Sequence, residues 1–168
     1  MKIRLIEPDD AKKLMVFFGK LVSEDPNRAE TLQDVQARTI EKENGRTLQR
    51  ISDNESDECI SLVISNDENI YGDCEIKRLK RLVDRHVGEL SFGILTGFED
   101  YGKQMIDGLL QKAKEIGIEL VYFVHLESQV RGIKLVSELG FQQSGKIDKY
   151  YKLENKNYIS RVIYTKIL

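Results

Sequence analysis

The residues able to do chemistry are concentrated between Glu89 and Gln104. Leu90, Phe92 and Ile94 alternate with Glu89, Ser91 and Gly93, the period of a β-strand with one apolar face. The other face sets a carboxylate beside small side chains, which leaves space for a ligand and makes Glu89 a candidate proton acceptor. The competing reading is an exposed acid paired with Arg85 or with a lysine of a neighbouring strand. Thr96–Gly102 then forms a glycine-containing turn, and Met105, Ile106, Leu109, Leu110 and Ala113 recur at helical spacing up to Gly117. A strand entering a helix through such a turn aims free N–H groups and the positive end of the helix dipole at one point, a place for phosphate. The donors expected there are the amides of Asp100, Tyr101, Gly102, Lys103 and Gln104. Glu99 and Asp100 put carboxylates beside that point; they complement the dipole without any ligand and repel an anion, an effect Lys103 partly offsets. Residues 97–103 also match the spacing G-x-x-x-x-G-K of a nucleotide-binding P-loop. Gln104 lacks the hydroxyl that holds Mg²⁺, and the following apolar strand ends in His125 rather than an aspartate, so nucleotide hydrolysis is rejected.

The elements that must position these residues are legible in outline. Lys2–Glu7 alternates as a first strand, and Pro8-Asp9-Asp10 starts a helix lined by Leu14, Phe17, Phe18 and Leu21. Arg28 to Glu43 reads as one polar helix ended by Asn44-Gly45, and Ile51–Glu58 as a loop. Cys59–Ser65 and Ile70–Leu79 make a hairpin around Asn66-Asp67-Glu68-Asn69. Glu119–Leu126 is nearly all apolar, which predicts a central strand covered on both faces. Val130, Ile133, Val136 and Leu139 mark a short helix closed by Gly140. Phe141–Leu153 and Asn157–Ile167 are two final strands around Glu154-Asn155-Lys156. The order β-α-α-β-β-β-α-β-α-β-β predicts one α+β domain over residues 1–168, with four helices flanking a mixed sheet of about seven strands.

The bulk properties exclude several classes. With 168 residues the chain fits one domain and should bury roughly 70% of its unfolded surface. A net charge of −2 gives no overall pull toward nucleic acid or an anionic membrane. No run approaches the ~20 apolar residues that span a bilayer, and the start MKIRLIEPDD lacks a signal peptide's apolar core, so a cytoplasmic location is expected. Cys59 and Cys74 have no partners at metal spacing; they read as reduced thiols filling strand positions, and no metal is expected.

The element order and three segments together resemble the GNAT superfamily of N-acetyltransferases over essentially the whole chain. Arg85-His86-Val87-Gly88-Glu89-Leu90 with Phe92-Gly93-Ile94-Leu95 is similar to that family's fourth strand. Tyr101-Gly102-Lys103-Gln104-Met105-Ile106, running to Ala113-Lys114-Glu115-Ile116-Gly117-Ile118, is similar to its coenzyme-binding helix. Ser128-Gln129-Val130-Arg131-Gly132-Ile133-Lys134-Leu135, with Glu138-Leu139-Gly140-Phe141, resembles the pattern Asn-x-x-Ala-Ile-x-Leu-Tyr-x-x-x-Gly-Phe. Gly145 and Asn155-Lys156-Asn157-Tyr158 also fit.

The resemblance implies a centrally splayed sheet and acetyl-CoA as co-substrate, with an acetyl group moved directly to a primary amine of a small molecule or peptide. It implies that Glu89 deprotonates the substrate ammonium, directly or through water. It further implies that residues 100–104 grip the diphosphate, that Ile94 and Leu95 hold pantetheine by main-chain hydrogen bonds, and that Ser128 and Gln129 reach the pantetheine arm. Ser128 is equally a helix cap, and capping is the safer assignment for it. The chain departs from the family pattern at several points. If the helix is aligned without gaps, Gly102 fills the last glycine of Gln/Arg-x-x-Gly-x-Gly/Ala, Asp100 the earlier one and Gly97 the Gln/Arg position. Aligned from the strand end, Gly102 is the earlier glycine and Gln104 the later. The family's tyrosine near the leaving thiolate falls on Val136, and its asparagine on Gln129. A non-catalytic binding or regulatory module that kept the fold is the alternative. A homodimer is the default assembly.

Overall fold

The computed structural model describes residues 1–25, 28–153 and 157–168; the expected turn Glu154-Asn155-Lys156 lies outside the described residues. The elements run β1 (Lys2–Leu5), α1 (Asp10–Glu24), α2 (Leu32–Gln36), α3 (Ile40–Glu55), β2 (Cys59–Ser65), β3 (Ile70–Arg78), β4 (Val87–Ile94), α4 (Glu99–Glu115), β5 (Leu120–Leu126), α5 (Val130–Glu138), β6 (Gln142–Lys152) and β7 (Tyr158–Ile167). The strands form one seven-stranded sheet in the order β1-β2-β3-β4-β5-β7-β6. Every neighbouring pair is antiparallel except β4 and β5, which are parallel.

Helices number five among the described residues, not the four expected. The polar stretch Arg28–Glu43 is not one helix, because two threonines each start a helix of their own. Thr31 accepts the Asp34 N–H at 3.2 Å while Asp34 accepts the Thr31 N–H at 2.8 Å, a capping box for α2. Thr39 accepts the Lys42 N–H at 3.4 Å and starts α3. Asn44-Gly45 ends nothing: Gly45 sits inside α3 with open space where a Cβ would be. Residues 51–55, expected as loop, are the last turn of α3. The face that α3 turns inward is polar, with Glu43 and Thr47 buried, so no apolar stripe marks it in the sequence. It is held instead by Arg50 on Asp73 and by Asn54 Oδ1, which accepts the Ser61 N–H at 2.9 Å.

Alternation along the strands divides the apolar side chains between two cores. Leu62, Ile64, Cys74, Ile76, Leu90 and Ile94 pack beneath Met105, Ile106, Leu109 and Ala113 of α4. Leu14, Phe17 and Leu21 of α1 cover the opposite face through Val63, Ile70 and Leu95. The entry to α1 is fixed by Asp10, whose buried carboxylate accepts both Arg4 guanidinium NH₂ groups at 2.7 Å and the Glu7 N–H at 2.9 Å.

The feature that positions the site lies in mid-sheet. β3 stays paired with β4 up to Gly72↔Ile94, and β7 with β5 up to Leu126↔Arg161. The parallel pair β4–β5 runs only from Val87↔Leu120 to Leu90↔Phe123. Beyond Leu90 and Phe123 the two strands part, and the sheet is splayed. The expectation that β5 is covered on both faces is corrected: Val121, Phe123 and Leu126 are buried, while Tyr122, Val124 and His125 are only half-buried. One face of that strand opens toward the gap, where an apolar side chain needs no polar substitute to remain partly sheltered.

Candidate active site

Two cavities flank the fork and meet at Arg28, Phe92 and Gly93, which line both. The first, about 350 Å³, runs from Glu99 and Asp100 past Ile94 to His125, Gln129 and Leu135. The second, about 410 Å³, is a polar basin between α3 and the sheet, floored by Asp73, Glu75, Lys77 and Ser91. Both volumes fall in the range of small-molecule sites, roughly 300–1,000 Å³. Gly93 keeps the junction narrow, since a Cβ there would come within 2.4 Å of Leu21 Cδ2. Phe92, Phe123 and His125 form an aromatic run across the fork, with ring centroids 5.0 and 4.8 Å apart.

At the mouth of the first cavity α4 begins. Its N-cap, Phe98, supplies no side-chain bond, and among the described residues the N–H groups of Glu99, Asp100 and Tyr101 have no acceptor in the protein. The open donors therefore sit one step earlier than the run 100–104 expected from sequence, because the helix starts at Glu99. The Gly102 N–H donates to Phe98 O at 2.8 Å, and those of Lys103 and Gln104 fall inside the helical ladder. Gly102 serves packing: a Cβ there would lie 2.2 Å from Ile94 Cδ1, so only glycine lets α4 approach β4 this closely.

Of the two acidic residues that argued against an anion here, Glu99 is committed elsewhere, while the Asp100 side chain lines the cavity with no ion pair among the described residues. Glu99 Oε2 accepts the Gly97 N–H at 2.9 Å and Oε1 pairs with Arg131 at 2.9 Å. Glu24 Oε2 accepts the Thr96 N–H at 2.8 Å. Arg131 also donates to Thr96 Oγ1 at 3.0 Å and to Ile94 O at 3.4 Å, bridging the gap from α5 to the end of β4. The structure thus brings Ile94, Asp100 and Gln129 to one cavity. Leu95 is buried in the second core and its N–H is spent on Tyr71 O at 2.9 Å. Gln129 is buried, donates to Asp25 at 3.1 Å, and is itself the N-cap residue of α5. Ser128 is exposed and neither caps α5 nor lines a cavity, which corrects the capping assignment. Tyr101, Lys103 and Gln104 are exposed outside both cavities, and Lys103 reaches Glu138 at 3.4 Å. Val136 is fully buried in the core, so its position faces packing rather than the groove.

Glu89 lies on β4 opposite Lys77 and Tyr122, just inside the zipped end of the fork. Its Oε2 accepts the Tyr122 hydroxyl at 2.9 Å; burial and this carboxylate push the Tyr122 phenol up to about 12. Glu89 lines neither cavity. Glu75 of β3, opposite Ser91, does line the basin and accepts Arg50 at 3.1 Å, Lys77 at 2.9 Å and Ser91 Oγ at 3.4 Å. Arg50 also grips Asp73 at 2.7 Å; its charge is opposed by burial but held firmly by those two acids. His125 has its pKa lowered to about 4, chiefly by burial and then by Arg28. Cys59 and Cys74 are free and buried, and desolvation pushes the Cys59 thiol up to about 11, so neither offers a thiolate. Among the described residues no group of three or more His, Cys, Asp or Glu could hold a metal.

Sequence reasoning missed Arg28, Arg50, Asp73 and His125 as residues of the site. Asp73 and Arg50 are separated by 23 positions and meet only because α3 crosses β3. A buried salt bridge between a helix and a strand leaves no local pattern to read.

The topology is a seven-stranded sheet splayed beside a helix N-terminus whose first amides are open. Residues 3–162 match the model of the acetyltransferase (GNAT) domain, and the chain belongs to that family. No curated protein matches it in sequence. Among solved structures, it is similar to a GNAT-family acetyltransferase from Streptococcus pneumoniae, with 21% identity, 99% of each chain covered and a TM-score of 0.88. A ribosomal-protein-alanine N-acetyltransferase from Brucella melitensis shares 17% identity over 100% of both chains, with a TM-score of 0.79. A putative acetyltransferase from Salmonella typhimurium, solved with its cofactor acetyl-CoA, shares 13% identity over 100% of this chain and 94% of that one, with a TM-score of 0.81. Among the described residues no helix is long and apolar enough to cross a membrane.

Proposed function

We propose that this chain is an acetyl-CoA-dependent N-acetyltransferase that moves an acetyl group onto a primary amine by direct transfer within a ternary complex. The observation that carries the reading is the parted end of β4 and β5, with open α4 amides at one mouth and a polar basin at the other. The residues fit the coenzyme. The amides of Glu99, Asp100 and Tyr101 hold its diphosphate, Arg131 neutralises Glu99 beside it, and the main chain at Ile94 and the Gln129 side chain border the pantetheine arm. When bound, acetyl-CoA supplies the electrophilic thioester carbonyl. The chain's own contribution is proximity: the fork holds both reactants at one point, and the aromatic run and Leu21 exclude water. Glu89 takes the ammonium proton through an intervening water, since it lines neither cavity, and Tyr122 orients its carboxylate. Two inaccessible thiols agree with transfer that forms no enzyme thioester.

Calorimetric titration with acetyl-CoA, followed by a panel of primary amines, tests this. Binding at sub-millimolar coenzyme with amine-dependent release of thiol is the expected result. Glu89→Gln should lower kcat at neutral pH by about 10²-fold. If Glu75→Gln does so instead, the base is Glu75. Binding without turnover across the panel favours the second reading, a non-catalytic module, for which the core position of Val136 is the supporting observation.

A further inference from the structure

Among the described residues, one cation lining the two cavities makes no ion pair. Around the basin, Arg38 and Arg46 lie within 4.0 Å of Glu43, Arg50 pairs with Asp73, and Lys77 pairs with Glu75. Around the groove, Arg131 pairs with Glu99 and Lys134 reaches Glu138. Arg28 lines both cavities and, among the described residues, makes no ion pair and no hydrogen bond; its Nε is buried without a partner. Burial weakens its hold on the proton, and the fields of Asp25 and Glu30 oppose that. A partly desolvated guanidinium left unpaired is costly, and the ligand that relieves it is a planar two-oxygen anion received bidentately.

The position of Arg28 indicates whose anion that is. Arg28 lines the basin together with residues of α3, whereas the open amides for the coenzyme's phosphates sit on α4. Phe92 and Gly93 line both cavities with it, and Ser91 lines the basin. The basin also carries Asp53, whose carboxylate has Gln49 at 2.7 Å and no cation within ion-pair distance among the described residues. Among the described residues lining the basin, Arg28 and Asp53 are the two charges without an ion pair, and one of each sign complements a molecule that is both an amine and an acid.

We infer that the acceptor is a small amino acid, its amine directed to the fork and its carboxylate received by Arg28. This rests on the acetyltransferase reading above and narrows its acceptor. The test uses the purified full chain, acetyl-CoA and matched probes: L-amino acids, their α-amides and their decarboxylated amines. At least one acid should be acetylated with kcat/KM about tenfold or more above its amide, because the amide leaves the guanidinium unpaired. Arg28→Gln should abolish that preference through the acceptor's KM, Arg28→Lys should restore part of it, and the KM for acetyl-CoA should stay within about twofold. Equal use of acids, amides and plain amines, or acetylation of amines with no acid turned over, overturns this inference and leaves the parent reading standing. A rise in the KM of acetyl-CoA rather than of the acceptor in Arg28→Gln overturns it too, by assigning Arg28 to the coenzyme. Absence of acetyl-CoA binding by the unmodified chain removes both readings together.

Discussion

Arg131 of α5 and Glu99 of α4 form a 2.9 Å ion pair across the open end of the sheet. Both side chains are about half exposed, so the pair itself adds little to stability, on the order of 0–1 kcal/mol. Its consequence is electrostatic: Arg131 cancels a carboxylate at the helix N-terminus where a diphosphate would lie. Arg131→Gln should therefore raise the KM for acetyl-CoA by roughly tenfold with a smaller change in kcat. The double variant Arg131→Gln/Glu99→Gln should recover most of the loss. Steady-state kinetics on the three proteins checks this, and equal losses in single and double variants would show that Arg131 acts by direct contact alone.

The low pKa of His125 makes stability fall in mild acid. Its ordinary value of 6.5 drops to about 4 in the fold, so between those limits the unfolded chain binds the extra proton and folding weakens as pH falls. The contribution should reach about 2–3 kcal/mol by pH 4 and be absent above pH 7. Urea unfolding at a series of pH values measures it, and His125→Phe should flatten the slope in that window.

A second pH effect lies lower. Burial raises the Asp10 carboxyl, but the Arg4 hydrogen bonds and the Glu7 N–H outweigh it, leaving the pKa below 3.8. The stability from this pair is complete above that value and is lost as pH drops through the depressed pKa. Asp10→Asn should cost about 1–3 kcal/mol at neutral pH, leaving Arg4 without its partner. The melting temperature should fall by roughly 2–4 °C per kcal/mol, as seen by calorimetry.

Gly102→Ala tests packing separately from chemistry. The added methyl would meet Ile94 Cδ1 at 2.2 Å, with two further Ile94 carbons within 3.3 Å. Overpacking of this kind costs about 1–3 kcal/mol. Co-substitution of Ile94→Val, which removes the clashing Cδ1, should recover stability. A melting temperature unchanged in Gly102→Ala would show that α4 shifts freely on the sheet.

Much of the fold was legible because its elements follow simple periods. The alternation of Leu90, Phe92 and Ile94 marks β4, and Met105 to Ala113 marks the stripe of α4, each within a few residues of the observed bounds. α3 was hidden because Glu43, Thr47 and Arg50 dominate its inward face, with Ile51 its one aliphatic contact to the core among the described residues, so the pattern of burial is absent from hydropathy. The half-site on α4 could be read, since a strand, a glycine turn and a helix are contiguous. The basin could not, because Arg28, Arg50, Asp73 and Ser91 come from four separate segments and meet only in space. The amides were placed slightly too far along the chain because a helix start without a capping side chain has no residue signature.

Four residue pairs join the N-terminal four strands to the C-terminal three. The molecule is accordingly two smaller sheets hinged along a short seam, and a molecule lodged beyond that seam fastens one half to the other. Saturating coenzyme should slow amide exchange in Val124–Leu126 and Ser91–Ile94 more than anywhere else, giving a direct readout of clamping across this seam.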